Sequence, residues 1–429
     1  MVANKIFSKI TMLIIIVMAF FSMNSVYWNS INNTYKYLIV LVFYSCIILT
    51  FIISLVFFYH KKSVNFMILM KKILLFLLPI SIIFVANVTT RNLTIIDLTD
   101  YFIMPCLLMT VFYYYFVQNL LTDLMIYFRK FVTSYAVLSL IIYIALFFKI
   151  INFNMSIPIE WGWIRSVNGV YGILFNTQGN LNLFGISLLR NSGVFSEAPM
   201  YSLILIIALM IFLFIEQPHQ IFSPTLVILM VTIITTVSAT GILVGILAVG
   251  LYLLPKLRES KISSIVVAFF IFIGTFFAYN FLLDKFQTST QSVSIRSDDF
   301  TAGFNAWKNR PIIGYGFIEG RLRIKDFMQG SRVILGGNSG YSNGLFMGLV
   351  TVGLVGMLVF LIIPIIKYSM KSYYNFCFSI CLLVSLNNII FFGTYLYMVI
   401  IFFMTITSIK SESRELGGLS IEPNKKLFL

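Results

Sequence analysis

Charge is scarce in this chain, and the places where it is missing exclude most functions. Only 10% of the 429 residues are charged against 59% hydrophobic, and the mean hydropathy is +0.96. A chain so poor in polar surface cannot fold as a water-soluble globule, so it reads as a polytopic membrane protein. None of its apolar segments carries an ionisable side chain at its centre. A charge in hydrocarbon is expensive and kept for function, so this absence argues against an ion- or proton-coupled path. Cysteine is nearly missing. Cys46, Cys106, Cys377 and Cys381 all fall within predicted spans, which excludes a disulfide framework and a zinc pattern. Cys377 and Cys381 share a helical face, a spacing that suits helix packing better than a metal. Histidine is scarcer still: His60 and His219 both map to inner connections, leaving the outer loops without an imidazole. A small-residue cleavage site is lacking near Asn24 to Asn29, so the basic, apolar N-terminus is expected to be an uncleaved first span. No metal, cofactor or nucleic acid is expected.

What is present is a series of about twelve apolar runs, and the predicted fold is all-α, one membrane domain over residues 1–429. Runs long enough to cross about 30 Å of hydrocarbon lie near 9–27, 37–58, 73–90, 101–120, 131–148, 199–215, 222–237, 240–255, 262–283, 340–366, 373–389 and 391–408. The stretches 222–255 and 373–408 are each continuous and are divided at Ser238-Ala239-Thr240-Gly241 and at Asn387-Asn388. Lys and Arg set the orientation, because cytoplasmic connections carry their excess. With the N-terminus inside, 17 of the 30 basic residues fall on the inner face, Arg129 and Lys130 among them. The short outer connections hold only Lys36 and Arg91. The other 11 sit in two long polar loops, 149–198 and 284–339, both placed outside. Residues 410–429 form a polar cytoplasmic tail expected to be disordered.

Both outer loops are net positive, which fits an anionic ligand and fits plain solvated charge equally, so motifs have to decide. The first loop mixes aromatics with amides: Tyr171, Phe175, Asn176, Gln178, Asn180, Asn182 and Phe184. Aromatic faces pack on sugar rings while amides bond to hydroxyls, so the mixture suits carbohydrate. Trp161 and Trp163 read better as interfacial anchors. The loop closes with Arg190-x-x-Gly193-x-x-x-Glu197-x-Pro199 at the start of an apolar helix. Helix capping is the plain role for Glu197. Gly193 permits a tight return that brings the Arg190 guanidinium beside that carboxylate. In the second loop, Ser297 is expected to cap a short amphipathic helix with Asp298 and Asp299 in its first turn and Phe300, Phe304 and Trp307 on one face, lying on the membrane or covering a cavity between the spans. Arg296 then lies at the free amides of the helix N-terminus, a ready anion site. Asn309-Arg310-Pro311, the turn Gly314-Tyr315-Gly316, the basic residues Arg321, Arg323 and Lys325, and Gly336-Gly337-Asn338 follow.

The Arg190 to Pro199 pattern, Arg296-x-Asp298 with Asn309-Arg-Pro311-x-x-Gly314-x-Gly316, and Ser342-Asn343-Gly344 leading to Gly353-x-x-Gly356 together resemble the O-antigen polymerase and O-antigen ligase family, most of all a polysaccharide repeat-unit polymerase. The motifs span roughly residues 185–360. The resemblance implies a bacterial cytoplasmic-membrane glycosyltransferase that uses neither a nucleotide sugar nor a metal. It would move a glycan from undecaprenyl diphosphate onto an acceptor sugar hydroxyl at the outer face. By the matching positions, Arg190 and Arg296 would stabilise the departing diphosphate and Glu197 would serve as base. Arg321, Arg323, Ser342, Asn343, Tyr171 and Trp307 are the substrate-binding candidates. Ligase-like members often carry His-Asn where this chain has Ser342-Asn343, which weighs towards a polymerase of capsule, exopolysaccharide or O-antigen. A ligase to another acceptor and an oligosaccharide-lipid flippase are the alternatives. A chain-length regulator and a flippase are the partners the resemblance implies, beside membrane lipid.

Overall fold

The computed structural model describes residues 2–32, 34–60, scattered positions between 70 and 81, 99–179, 181–183, 186–220, 223–255, 290–316, 319–330, 340–386, 389 and 392–408. The expected spans 73–90 and 262–283, the 336–338 turn, the Asn387-Asn388 division and the 410–429 tail lie outside or largely outside these residues.

Helices dominate. In chain order they are α1 (Val2–Phe21), α2 (Thr34–His60), α3 (Met104–Val117), α4 (Leu121–Phe147), α5 (Ala198–Met210), α6 (Pro224–Thr235), α7 (Ala239–Leu253), α8 (Thr290–Asn309), α9 (Glu319–Lys325), α10 (Gly344–Met357), α11 (Ile363–Ser369), α12 (Tyr373–Leu386) and α13 (Tyr395–Thr407). Among the described residues, four stretches are long and apolar enough to cross a membrane: 36–60, 121–147, 198–216 and 344–369. Six shorter apolar helices of 10–17 residues stand beside them. Among the described residues, the count of twelve spans expected from hydropathy is therefore not confirmed.

Burial sorts these elements. In α5 every residue but Pro199 is buried, as a helix apolar on all sides requires. At the other extreme, α2 turns Leu38, Leu41 and Ile52 outward at 64%, 66% and 51% exposure, the surface that hydrocarbon would cover. Helices α1, α4 and α5 meet around Phe20, whose ring lies 4.9 Å from both Tyr135 and Phe195. The 222–255 run divides where expected. Ser238 caps α7 through Gly241 N–H, and Gly245 of α7 faces Met230 and Ile233 of α6, so the two form a helical hairpin.

Three features differ from the sequence reading. Helix α4 begins ten residues early and takes in Arg129 and Lys130, which were expected in a connection. A cation is tolerated there because Arg129 makes a two-pronged ion pair with Glu216, Nε to Oε1 at 2.7 Å and Nη2 to Oε2. The 149–198 stretch is not an open loop, so the fold is not purely α. It holds a three-stranded antiparallel sheet, β1 (Met155–Trp161), β2 (Trp163–Val170) and β3 (Leu174–Asn176), and a hairpin of β4 (Leu181–Leu183) and β5 (Ile186–Leu188). Strands β1 and β2 turn at Gly162, with Ile159 opposite Arg165. Alternating Ile157, Ile159 and Val167 against polar neighbours was the available strand signal. The third difference is α8, which starts at Thr290. Ser297 is thus inside the helix, and Arg296 is not at its free N-terminal amides.

Helix α10 is broken in its middle. Gly353 takes φ 64 and ψ −172, which releases backbone groups that hydrocarbon cannot satisfy. The 311–316 turn supplies their partners: Leu354 N–H donates to Pro311 O at 2.9 Å and Val355 N–H to Ile312 O at 3.1 Å. In return, Tyr315 N–H and Gly316 N–H donate to the carbonyls of Val350 and Thr351, at 2.8 and 2.7 Å. A Cβ on Gly314 would stand 2.6 Å from Thr351 O, and one on Gly353 would stand 2.2 Å from Ile312 O. The two glycine motifs of the second loop and the following helix are therefore two halves of one interlock.

Candidate active site

The N-terminal end of α5 is where the separate segments meet. The connection after α1 is stitched to both neighbours: Val26 N–H donates to Val194 O at 2.7 Å, Ser196 N–H to Asn24 O at 3.0 Å, and Glu160 N–H to Asn29 O at 2.9 Å. Gly193 makes the return before α5 with φ 53, where a Cβ would lie 2.6 Å from the Tyr135 hydroxyl.

Glu197 occupies the N-cap of α5, yet its side chain makes no capping bond. Gln178 Oε1 accepts from Ala198 N–H instead, at 3.2 Å. Relieved of that role, the Glu197 carboxylate accepts from Trp161 Nε1–H at 2.8 Å. Trp161 is thus a site residue rather than the interfacial anchor its sequence suggested. Removal from water raises the Glu197 pKa, and Asp299 adds to the rise. The Trp161 hydrogen bond and the guanidinium groups of Arg190 and Arg165 oppose it.

Arg190 sits over the turn of the α6–α7 hairpin. Its Nε donates to Thr236 O at 3.2 Å and its Nη2 to Val237 O at 3.5 Å, which engages part of a five-donor fork. Val237 is β-branched and holds φ 50, a conformation such residues rarely adopt. Burial brings the Arg190 pKa down to about 10; Glu197 opposes this, and the nearby charge of Arg296 adds to it. Arg190 therefore remains a cation at neutral pH and lies within electrostatic range of both. Arg165, on β2, also loses basicity on burial and gains some back from Glu197. Sequence reasoning passed over it as an ordinary loop charge.

A pocket opens beside this cluster, lined by Trp161, Glu197, Met200, Asp299, Tyr341 and Ser342 among others, with a volume of about 110 Å³. Asp299 reaches it from the buried face of α8. Both Ser342 N–H, at 2.9 Å, and Ser342 Oγ–H donate to Asp299 Oδ2. That face of α8 is made of Asp298, Asp299, Ala302, Gly303 and Ala306, whereas Phe300 and Phe304 are 55% and 40% exposed. Of the two roles expected for the aromatic face, covering a cavity or lying on the membrane, its half-exposure is compatible with the second and not with the first. Small residues go inward because a Cβ at Gly303 would stand 2.1 Å from the Tyr341 hydroxyl.

The remaining sequence candidates stand elsewhere or hold the frame. Asn343 Oδ1 caps α10 through Phe346 N–H at 3.0 Å. Trp307 donates to Pro311 O at 3.1 Å. Tyr171 is a 65% exposed turn residue. Arg321 is exposed on α9, and Arg323 pairs with Glu319 at 3.0 Å and Asp326 at 3.3 Å. Arg323 lines a second cavity with Asn309, Arg310 and Tyr315.

A helical membrane protein with two carboxylates, Glu197 and Asp299, at one pocket and guanidinium groups within electrostatic range of Glu197 is the class these features define. Residues 224–361 match the O-antigen ligase family model. The match runs from α6 into the π-helical segment that continues α10, Leu358–Ile362, and contains Arg296, Asp299 and Ser342; Arg190 and Glu197 precede it. No curated protein and no solved structure matches the chain.

Proposed function

We propose that the protein is a polymerase of lipid-linked oligosaccharide repeat units, making a capsule, exopolysaccharide or O-antigen at the outer face of a bacterial cytoplasmic membrane. The observation that carries this reading is the chain of charges behind the pocket: Glu197 lines it, Arg190 and Arg165 act on Glu197, and Arg296 acts on Arg190. In this reading Glu197 takes the proton of an acceptor sugar hydroxyl as that oxygen attacks the anomeric carbon of the donor. The bond to undecaprenyl diphosphate breaks, and the guanidinium groups hold the charge that develops on the leaving diphosphate. Arg190 and Arg296 are the proposed diphosphate ligands, with Arg165 beside them. Arg321, Arg323, Tyr171 and Trp307 are proposed only as contacts to more distant sugars of a long glycan, and Asn343 as the support of Ser342.

Ligation is the second reading, favoured by the description of the matching family. Purified protein in lipid nanodiscs, supplied with undecaprenyl diphosphate-linked repeat units alone, separates the two. Polymerisation gives a ladder of products; a strict need for a second acceptor supports ligation, and retention of every unit as a monomer under both conditions rules out the transferase reading.

A further inference from the structure

We propose that Ser342, held by Asp299, positions the acceptor sugar by accepting a hydrogen bond from the hydroxyl next to the one that reacts, which makes the site selective for a neutral sugar bearing adjacent free hydroxyls. This rests on the transferase reading above and deepens it. A serine hydroxyl ordinarily rotates and serves as donor or acceptor. Here its proton is committed. Ser342 Oγ–H and Ser342 N–H both go to the same oxygen of Asp299, and Asp299 is 1% exposed on the inward face of α8. What Ser342 turns to the pocket is therefore lone pairs. The other polar wall is Glu197, also an acceptor, with the Trp161 N–H already used on it.

A pocket end whose side chains Glu197 and Ser342 both accept, with a second carboxylate behind the serine, selects a ligand that donates. Two neighbouring sugar hydroxyls do so, one to each wall. A phosphate or a uronic-acid carboxylate brings only acceptors and negative charge, and meets Glu197 and Asp299. The arrangement divides the site: anionic donor atoms lie towards Arg190, Arg165 and Arg296, and the uncharged acceptor ring lies towards Ser342. Asp299 acts through Ser342 and is a positioning residue.

The test uses full-length protein in nanodiscs, undecaprenyl diphosphate-linked repeat unit as donor, and the same glycan on a short alkyl chain as titrated acceptor. Loss of one neutral hydrogen bond in Ser342→Ala is expected to raise the acceptor KM about three- to tenfold, with the donor KM unchanged. Ser342→Thr, which keeps the hydroxyl, is expected to restore it. Asp299→Asn is expected to raise the acceptor KM as well, because the amide can donate back to Ser342 Oγ and occupy its lone pair. An unchanged acceptor KM in Ser342→Ala, an effect confined to the donor KM, or a Ser342→Thr as impaired as Ser342→Ala overturns the proposal while leaving the transferase reading intact. Wild-type protein that transfers nothing overturns both. Thermal unfolding of each variant in detergent checks the fold, and if Ser342→Ala does not fold, the contrast between Ser342→Thr and Asp299→Asn decides in its place.

Discussion

Glu197 stands where a carboxylate ordinarily caps a helix, but Gln178 takes the Ala198 amide and leaves the carboxylate to Trp161 and to the guanidinium groups around it. A buried carboxylate with a raised pKa is the kind of group that works as a base near neutral pH. Glu197→Gln is expected to lower the transfer rate by about 10²–10⁴-fold, measured as product per unit time with unchanged thermal unfolding. The sign of the pH dependence follows. A base acts in its ionised form, so activity is full above the pKa of Glu197 and lost as pH falls through it. That pKa is raised, so the acid limb should lie at higher pH than for an ordinary glutamate. Trp161→Phe removes a hydrogen bond that holds the pKa down, and should move the limb to still higher pH. A limb that shifts to lower pH in that variant would argue against Glu197 as the titrating group.

Among the elements, the interlock of the 311–316 turn with the break in α10 explains why Asn309-Arg-Pro-x-x-Gly-x-Gly and Gly353 occur in one chain. Either half alone leaves amides and carbonyls exposed at membrane depth, which is costly, and together they are satisfied. Gly353→Ala places a Cβ against the Ile312 carbonyl at a positive φ. A cost of about 1–3 kcal/mol in stability is expected, read as a lower unfolding temperature in detergent. Gly250→Ala, which has open space around the added Cβ, should not be destabilising. The residues of this interlock were visible as motifs, but their partnership was not, because backbone pairing between a turn and a broken helix leaves no periodic trace. The hairpin of α6 and α7 was legible in Ser238 and Gly241, a capping residue followed by a small one. The inward face of α8 was not legible, because helix patterning ranks Phe300 and Phe304 above Ala302 and Ala306, while tertiary contact with Tyr341 leaves room only for the small residues. Arg190, Glu197 and Arg296 were legible as types and positions. Trp161, Arg165 and Asp299 were not singled out, since each acquires its role only from neighbours more than thirty residues away.

At the scale of the molecule, α5 with its π-helical continuation is a 19-residue rod, 198–216, running through the most buried part of the bundle. Its length of about 28 Å matches the hydrocarbon thickness. Glu197 and its pocket stand at one end, and the Arg129–Glu216 ion pair ties α4 to the other, so a rod that crosses the bilayer would carry the two ends to opposite faces. From the excess of basic residues in the connections expected inside, we propose that the Glu197 end is outside. Exposed positions exist on either side: Tyr171 in the turn before β3, and His219 just beyond Glu216. Cysteines introduced as Tyr171→Cys and His219→Cys can be probed with a membrane-impermeant maleimide, using wild-type protein to measure labelling of the native thiols. Tyr171→Cys is expected to react in intact cells, and His219→Cys only after permeabilisation. The reverse pattern would invert the whole topology and put the Glu197 pocket in the cytoplasm, away from a lipid-linked glycan presented at the outer leaflet. Labelling of both in intact cells would mean that 198–216 does not span the bilayer at all.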